Sequence, residues 1–340
     1  MFEQENRRFL VESLPQGMPT PEGFRLVVEP AKVADRGQAV VRNLWLSVDP
    51  YMRGRLTGKT TYAAPVEVGD VMIGGTVSQV VASNTHLAVV GEILMTYGGW
   101  QDYALLDEQA LLGAVRIDRS LPLSTALGVV GMPGATGYLG LTKLGKPQPG
   151  ETLVVSAAAG AVGSVVGQLG KMMGCRVIGI AGGPQKRDLC EGAYGFDTCI
   201  DYKAEDDLPG RLAQACPNGI DIYFENVGGP VLDAVIPLLK DGSRVPVCGY
   251  ISQYNAAEPQ LPWERLSELS LAIESRFFVV GEWRQELPTV YAKLARWVRD
   301  GKLAYRETVT HGLERAPYAF IDLFNGKNVG KQVVRIAAPA

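Results

Sequence analysis

Between residues 152 and 174 the sequence sets up a strand, a tight turn and a helix of the kind that can hold phosphates. The run TLVVSA (152–157) reads as a buried strand and AVGSVVGQLGKMMG (161–174) as a helix. Their junction is Ala158-Ala159-Gly160-Ala161-Val162-Gly163, which is G-x-G-x-x-G with alanine at the first glycine. Gly160 lets the backbone approach a pyrophosphate, and Gly163 lets the helix pack closely on the strand. The helix N-terminus then meets the anion with N–H groups and the positive end of its dipole. A glycine pattern alone is weak. Between a strand and a helix, inside a longer series of βα units, it points to a dinucleotide. An NAD site carries an acid about 20 positions further on, at the end of the second strand. Here that strand ends IAGGPQKRD: Gly182 and Gly183 take the acid's place, and Lys186 and Arg187 follow. A cation without a competing carboxylate suits a 2′-phosphate, so the expected cofactor is NADPH.

Other chemistries lack their residues. The chain has two histidines, His86 and His311, and five cysteines at 175, 190, 199, 216 and 248, with no CxxC pair. A catalytic zinc needs three protein ligands and a structural one usually four close cysteines, so no metal site is expected. There is no G-x-S-x-G elbow or comparable nucleophile–base motif. Most of the cysteines read as small core residues and both histidines as surface or loop residues. The chemistry is therefore expected from the cofactor, with the protein supplying position and hydrogen bonds.

Composition narrows the class. Of 340 residues, 46% are hydrophobic and 20% charged, with a net charge of −3 and no long basic run. Disorder is excluded, and no nucleic-acid or anionic-membrane surface is advertised. The odd cysteine count and the opening MFEQENRRFL point to a reducing cytoplasm. Two charge-free stretches, Ser120–Thr142 and Thr152–Gly170, are long enough for a bilayer but rich in glycine, alanine and proline, so both read as buried soluble segments. Forty glycines are a surplus over an ordinary chain, and fifteen fall between Gly128 and Gly183.

The elements that must position the turn fall into two textures. The first 120 residues offer short β-branched and aromatic runs (GFRLVVEP, QAVVRNLWLSV, VMIGGTVSQVV, EILMTYGGWQDYALLD) divided by glycine, proline and aspartate. From Glu151 strands and helices alternate, which implies a parallel, doubly wound sheet. Its last strands are expected at SRVPVCGYI and FFVVGE, and a long helix at Leu287–Asp300 precedes a β-like tail, ETVTHGL and NVGKQVVRI.

Five segments carry a family resemblance. They are Ser47–Arg55 (SVDPYMRGR), Gly131–Tyr138 (GMPGATGY), Ala157–Gly167 (AAAGAVGSVVG), Phe224–Gly229 (FENVGG) and Asn328–Lys331 (NVGK). Together they resemble the medium-chain dehydrogenase/reductase superfamily. Within it they are most similar to the zinc-independent branch of leukotriene dehydrogenases, prostaglandin reductases, alkenal double-bond reductases and curcumin-reductase-like enzymes. The resemblance implies an α/β fold: a GroES-like β-rich domain (1–122 plus 305–340) and a doubly wound parallel-sheet Rossmann domain (123–304). It also implies that Gly160, Ala161, Val162 and Gly163 bind NADPH, and that Lys186 and Tyr202 hold the 2′-phosphate. Met132, Thr136, Asn226, Cys248, Gly249, Tyr250, Ile251, Ser252, Tyr254, the strand Phe278-Val279-Val280 and Asn328 would line the ribose and nicotinamide.

The implied reaction is reduction of the carbon–carbon double bond of an enone or enal, with hydride added at the β-carbon and the resulting enolate protonated. Tyr254 of YISQYN matches the branch's active-site tyrosine and Tyr51 of DPYMRGR a pocket tyrosine. A phenol, with an ordinary pKa near 10, is a neutral donor at pH 7 for a developing oxyanion. The resemblance allows the 2′-hydroxyl of the cofactor ribose to share this donor role. A zinc-independent quinone oxidoreductase and a non-catalytic dinucleotide-binding protein are the rival functions. Relatives are commonly homodimers. Two residues depart from the pattern, Tyr250 and Phe277, and their bulk predicts a reshaped nicotinamide pocket favouring aryl-enones or narrower substrates. The three-residue glycine spacing from Gly128 to Gly140 has no explanation at this level.

Overall fold

The computed structural model describes residues 4–61, 63–117 and 119–339. The chain divides into two compact units, one of residues 1–127, 307–328 and 332–340, the other of residues 128–306 and 329–331. In the first unit, β1 (Glu5–Val11) and β2 (Phe24–Pro30) pair antiparallel. Then come β3 (Ala39–Ser47), β4 (Thr76–Ser83), β5 (Ile93–Thr96), β6 (Tyr103–Leu106) and β7 (Val115–Arg116), with the short helices α1 (Tyr51–Gly54) and α2 (Glu108–Gly113). β3 is central: β4 pairs with one edge and β6 with part of the other, all antiparallel. Two strands from the end of the chain complete this sheet.

The second unit begins with α3 (Met132–Leu139), which runs into a π-helical turn at Gly140–Gly145. It continues with β8 (Thr152–Ser156), α4 (Gly163–Met172), β9 (Arg176–Ala181), α5 (Pro184–Glu191), β10 (Thr198–Asp201) and α6 (Leu208–Ala215). After these come β11 (Ile220–Phe224), α7 (Gly229–Val235), β12 (Leu239–Val247), α8 (Pro262–Ser267), β13 (Glu274–Phe277) and α9 (Leu287–Arg299). The six strands stand in the order β10-β9-β8-β11-β12-β13 and are parallel throughout. All five residues of β8 are buried, as a strand covered on both faces requires. Leu153, Val155, Val177 and Phe224 pack on one face with α3, α4 and α9. Val154, Ile178, Tyr223 and Val245 pack on the other with α6, α7 and α8. The strand order reverses between β8 and β11, and ligands of such sheets bind outside the carboxyl ends of the strands at that point.

β14 (Glu307–His311) and β15 (Lys331–Arg335) join the first unit's sheet beside β3. Between them lies α10 (Ala316–Phe324), a helix the sequence reading did not anticipate. Its Phe320 is fully buried against Trp100 (centroids 5.8 Å, 81°), and Trp100 in turn stacks on Phe24 (5.1 Å). Burying each such ring contributes about 1.5–3 kcal/mol. The last parallel strand also differs from expectation: it covers Glu274–Phe277 rather than FFVVGE, and Val280–Glu286 forms 3-10 turns. Among the described residues, no helix is long and apolar enough to cross a membrane.

Candidate active site

The turn after β8 is built around one carbonyl. Ala157 takes a left-handed conformation (φ 49°), which is costly for a residue with a Cβ. Its carbonyl accepts from Gly160 N (2.8 Å). A methyl group added at Gly160 would lie 3.0 Å from that oxygen, and one at Gly163 only 2.4 Å from it. Neither position tolerates a side chain without moving the turn, so the backbone itself forms the cradle at the head of α4. Gly330 N donates to Ala159 O (3.1 Å), which ties Gly330 to the same turn. Gly330 has φ 73°, and a Cβ there would strike Arg306 O at 1.9 Å.

The glycine ladder follows from the same packing. On α3, a Cβ at Gly134 would meet Val129 O at 1.9 Å, at Gly137 Val162 O at 3.1 Å, and at Gly140 Phe278 Cζ at 2.4 Å. Residues three apart share one helix face; here Gly134 meets the Val129 carbonyl just before the helix, Gly137 the dinucleotide turn and Gly140 the Phe224–Phe278 pair. Of the other residues on this helix, Thr136 is buried and its hydroxyl donates back to Met132 O (2.7 Å), while Met132 is half-buried.

After β9 the chain enters the region expected to meet a 2′-phosphate. A Cβ at Gly182 would lie 2.9 Å from the Tyr202 ring and 3.0 Å from Lys203 Cε, so glycine lets both side chains fold over the turn. Lys186 is half-buried, and its pKa is lowered by burial and by the neighbouring Lys203 charge. Two cations held near each other over a glycine turn form a site that a doubly charged anion relieves. Arg187 is exposed and paired with Asp188 (2.8 Å). One carboxylate does reach this turn: Asp201, from the end of β10, accepts from Gly183 N (2.6 Å) and Lys203 N (3.1 Å). Its Oδ1 is engaged by main-chain amides. The residues therefore fit a dinucleotide carrying a 2′-phosphate.

The carboxyl ends of β8, β11 and β12 bring the remaining candidates together. Asn226 Nδ2 donates to Ser156 O (2.7 Å), and Asn226 N to Ser156 Oγ (2.8 Å). Cys248 N and Gly249 N donate to Glu225 O, Ile251 N to Asn226 O, and Ser252 N to Val227 O. This ladder seats the Ile251–Gln253 turn, from which Tyr254 projects so that a Cβ at Gly249 would stand 3.0 Å from its hydroxyl. Burial pushes the Cys248 thiol up to about 12, with the Glu225 charge adding to it, so this cysteine is no nucleophile. Among the described residues, no group of three or more His, Cys, Asp or Glu could hold a metal ion.

Residues 7–113 match the family model described as N-terminal domain of oxidoreductase, and residues 161–296 the one described as zinc-binding dehydrogenase. The chain is 46% identical to the NADPH-dependent curcumin reductase of Escherichia coli (strain K12), over 98% of each protein. It is 38% identical to the 2-alkenal reductase (NADP(+)-dependent) of Nicotiana tabacum, again over 98% of each. The crystal structure of CurA in complex with NADPH from Vibrio vulnificus superposes with a TM-score of 0.90 at 47% identity, covering 98% of this chain and 100% of that one. The chain belongs to the curcumin-reductase-like branch of the medium-chain dehydrogenase/reductase family.

The residues that membership of this branch suggests are distributed unevenly. Those on the carboxyl ends of β8, β11 and β12, with Tyr254, meet in the second unit. Tyr51 and Asn328 belong to the first unit. Tyr51 begins α1 and is half-buried, while its neighbours anchor the segment: Met52 is fully buried, and Arg53 donates to Pro15 O and Gly17 O. Phe278 lies beyond the end of β13 and is a core residue, edge-on to Phe224 (6.1 Å), and Val279 caps the following 3-10 turn. Phe277 turns to the opposite face from Phe278 and packs on Trp263 (5.2 Å). Trp263 meets Tyr250 (5.5 Å), which meets Tyr254 edge-on (4.9 Å). The added bulk at Phe277 thus connects to the Tyr254 turn through Trp263 and Tyr250. Sequence reasoning missed Lys203, Ser156, Glu225 and Trp263. The first adjoins Tyr202, and the β8–β11 register, Phe224 opposite Val155, places Glu225 beside Ser156.

Proposed function

We propose that this chain is an NADPH-dependent reductase of the carbon–carbon double bond of α,β-unsaturated ketones and aldehydes, working without a metal. NADPH, when bound, supplies the hydride that the substrate's β-carbon receives. Gly160 to Gly163 and the head of α4 would hold its pyrophosphate, and Lys186, Tyr202 and Lys203 its 2′-phosphate. Asn226 and the Cys248–Ser252 turn would flank the nicotinamide end. As the β-carbon is reduced, negative charge gathers on the substrate's carbonyl oxygen, and the Tyr254 hydroxyl donates a hydrogen bond to it. A donor already oriented at that position stabilises the enolate without reorganising.

The observation that carries this reading is the seat of Tyr254. Its phenol rests over Gly249, at the carboxyl ends of the strands beside the sheet's reversal point, where such folds bind their ligands. The experiment is NADPH oxidation over alkenals, aryl-enones and quinones, with and without a chelator. Alkenals and aryl-enones are expected to turn over faster than quinones, and the chelator to change nothing. Quinone turnover exceeding enone turnover, or loss of activity on chelation, would overturn the proposal.

A further inference from the structure

Glu225 stands where three strand ends meet, and its role is assigned by no part of the chemistry above. It is fully buried. Its Oε1 accepts three hydrogen bonds, from Ser156 Oγ (2.9 Å), Tyr223 OH (3.0 Å) and Val227 N (2.6 Å). Its main-chain oxygen accepts from Cys248 N (2.8 Å) and Gly249 N (3.2 Å). Ser156 Oγ, bound to the carboxyl group, also accepts from Asn226 N. One residue therefore links the end of β8, the Asn226–Gly228 turn and the Cys248–Ser252 turn. Its Oε2 has no hydrogen bond of ordinary geometry, and burial lifts the carboxyl pKa against the pull of the Val227 and Gly228 amides, Ser156 and Tyr223. An unsatisfied buried carboxyl oxygen is costly, and a well-packed apolar side chain would avoid that cost. The elements it ties together are the ones that carry Asn226, Cys248 and Tyr254.

We propose that Glu225 is a positioning residue: its carboxyl group holds the Asn226–Gly228 turn in register with the end of β8 through Val227 N and Ser156 Oγ, its main-chain oxygen seats the Cys248–Ser252 turn on that same residue, and together they fix the nicotinamide end of the site without touching cofactor or substrate. The inference rests on the reading that the nicotinamide lies between those turns. It accounts for a buried acid at the end of an apolar strand, and it separates the two halves of the cofactor site. Glu225 ties down the reacting half, whereas the 2′-phosphate half, at the ends of β9 and β10, is built from other contacts.

The test compares Glu225→Ala, Glu225→Gln and Ser156→Ala for dissociation constants of NADPH and of 2′,5′-ADP, for kcat and KM on an enone, and for Tm. The probe 2′,5′-ADP contains the adenosine and 2′-phosphate but lacks the nicotinamide. Glu225→Ala is expected to weaken NADPH about tenfold and to lower kcat, with 2′,5′-ADP affinity held within about twofold. Glu225→Gln, which keeps an oxygen for the three donors, restores most of the loss. Ser156→Ala shifts in the same direction by less, and stands in for Glu225→Ala should that variant fail to fold. Parallel losses of NADPH and 2′,5′-ADP affinity, or a lowered Tm with NADPH affinity and kcat unchanged, would overturn the inference. The binding split in these variants, together with a wild-type protein that does not reduce enones, would instead overturn the functional reading and leave the Glu225 role standing.

Discussion

Tyr254→Phe will lower kcat for enone reduction about a hundredfold while leaving NADPH affinity within about threefold, because it removes a single donor to a developing oxyanion. Phenylalanine keeps the ring, and with it the edge-on contact to Tyr250 and the support of Trp263 behind it. The main-chain ladder from Glu225, Asn226 and Val227 that seats the turn is untouched by the substitution. What disappears is the hydroxyl beside Gly249. An interaction made chiefly in the transition state lowers kcat and kcat/KM together, whereas a packing loss would raise KM or reduce the folded fraction. Stopped-flow measurement of NADPH oxidation separates these outcomes. Unchanged turnover would move the donor role to Tyr51 or to the ribose hydroxyl of the cofactor.

Lys186→Ala will raise the dissociation constant for NADPH by about ten- to a hundredfold and leave NADH within about twofold, the cost of one lost charge-assisted hydrogen bond. The pair Lys186 and Lys203 is what makes this loss large. The burial of Lys186, with the repulsion from Lys203 added to it, holds the Lys186 pKa below that of an ordinary lysine. A bound 2′-phosphate reverses that shift, since an anion favours the charged amine. Binding is therefore linked to proton uptake as pH rises through the lowered value, and NADPH affinity should start to fall at a lower pH than an ordinary lysine would dictate. NADH, lacking the phosphate, should not follow. Titration of both cofactors against wild type and Lys186→Ala checks both statements, and equal losses for the two cofactors would defeat the assignment.

The sheet was legible because its strands are buried on both faces and so read as continuous apolar runs, TLVVS and RVIGIA, each followed by a helix. The turn was legible for a similar reason: Gly160 and Gly163 are demanded by the local path of the chain around Ala157. What escaped was set by distant partners. Gly137 and Gly140 acquire their meaning against Val162, Phe224 and Phe278, which are remote in sequence, whereas Gly134 answers to the nearby Val129 carbonyl. FFVVGE looks like a strand, yet Phe278 is drawn into the core and Glu282 caps Val279, so pairing stops at Phe277. The segment APYAFIDLF is apolar enough to suit either a strand or a helix, and its packing against Trp100 settled the matter. Glu225 followed from register alone, because the residue after Phe224 must stand beside Ser156. Asn328 had no local signal; only the NVGK resemblance pointed to it.

Hydride is expected at the carbon–carbon rather than the carbon–oxygen double bond. Reduction of an aryl-enone with NADPH deuterated at the transferable position, followed by NMR of the product, tests it most directly. The expected product is a saturated ketone with one deuterium on the β-carbon. An allylic alcohol with deuterium on the carbinol carbon would contradict it.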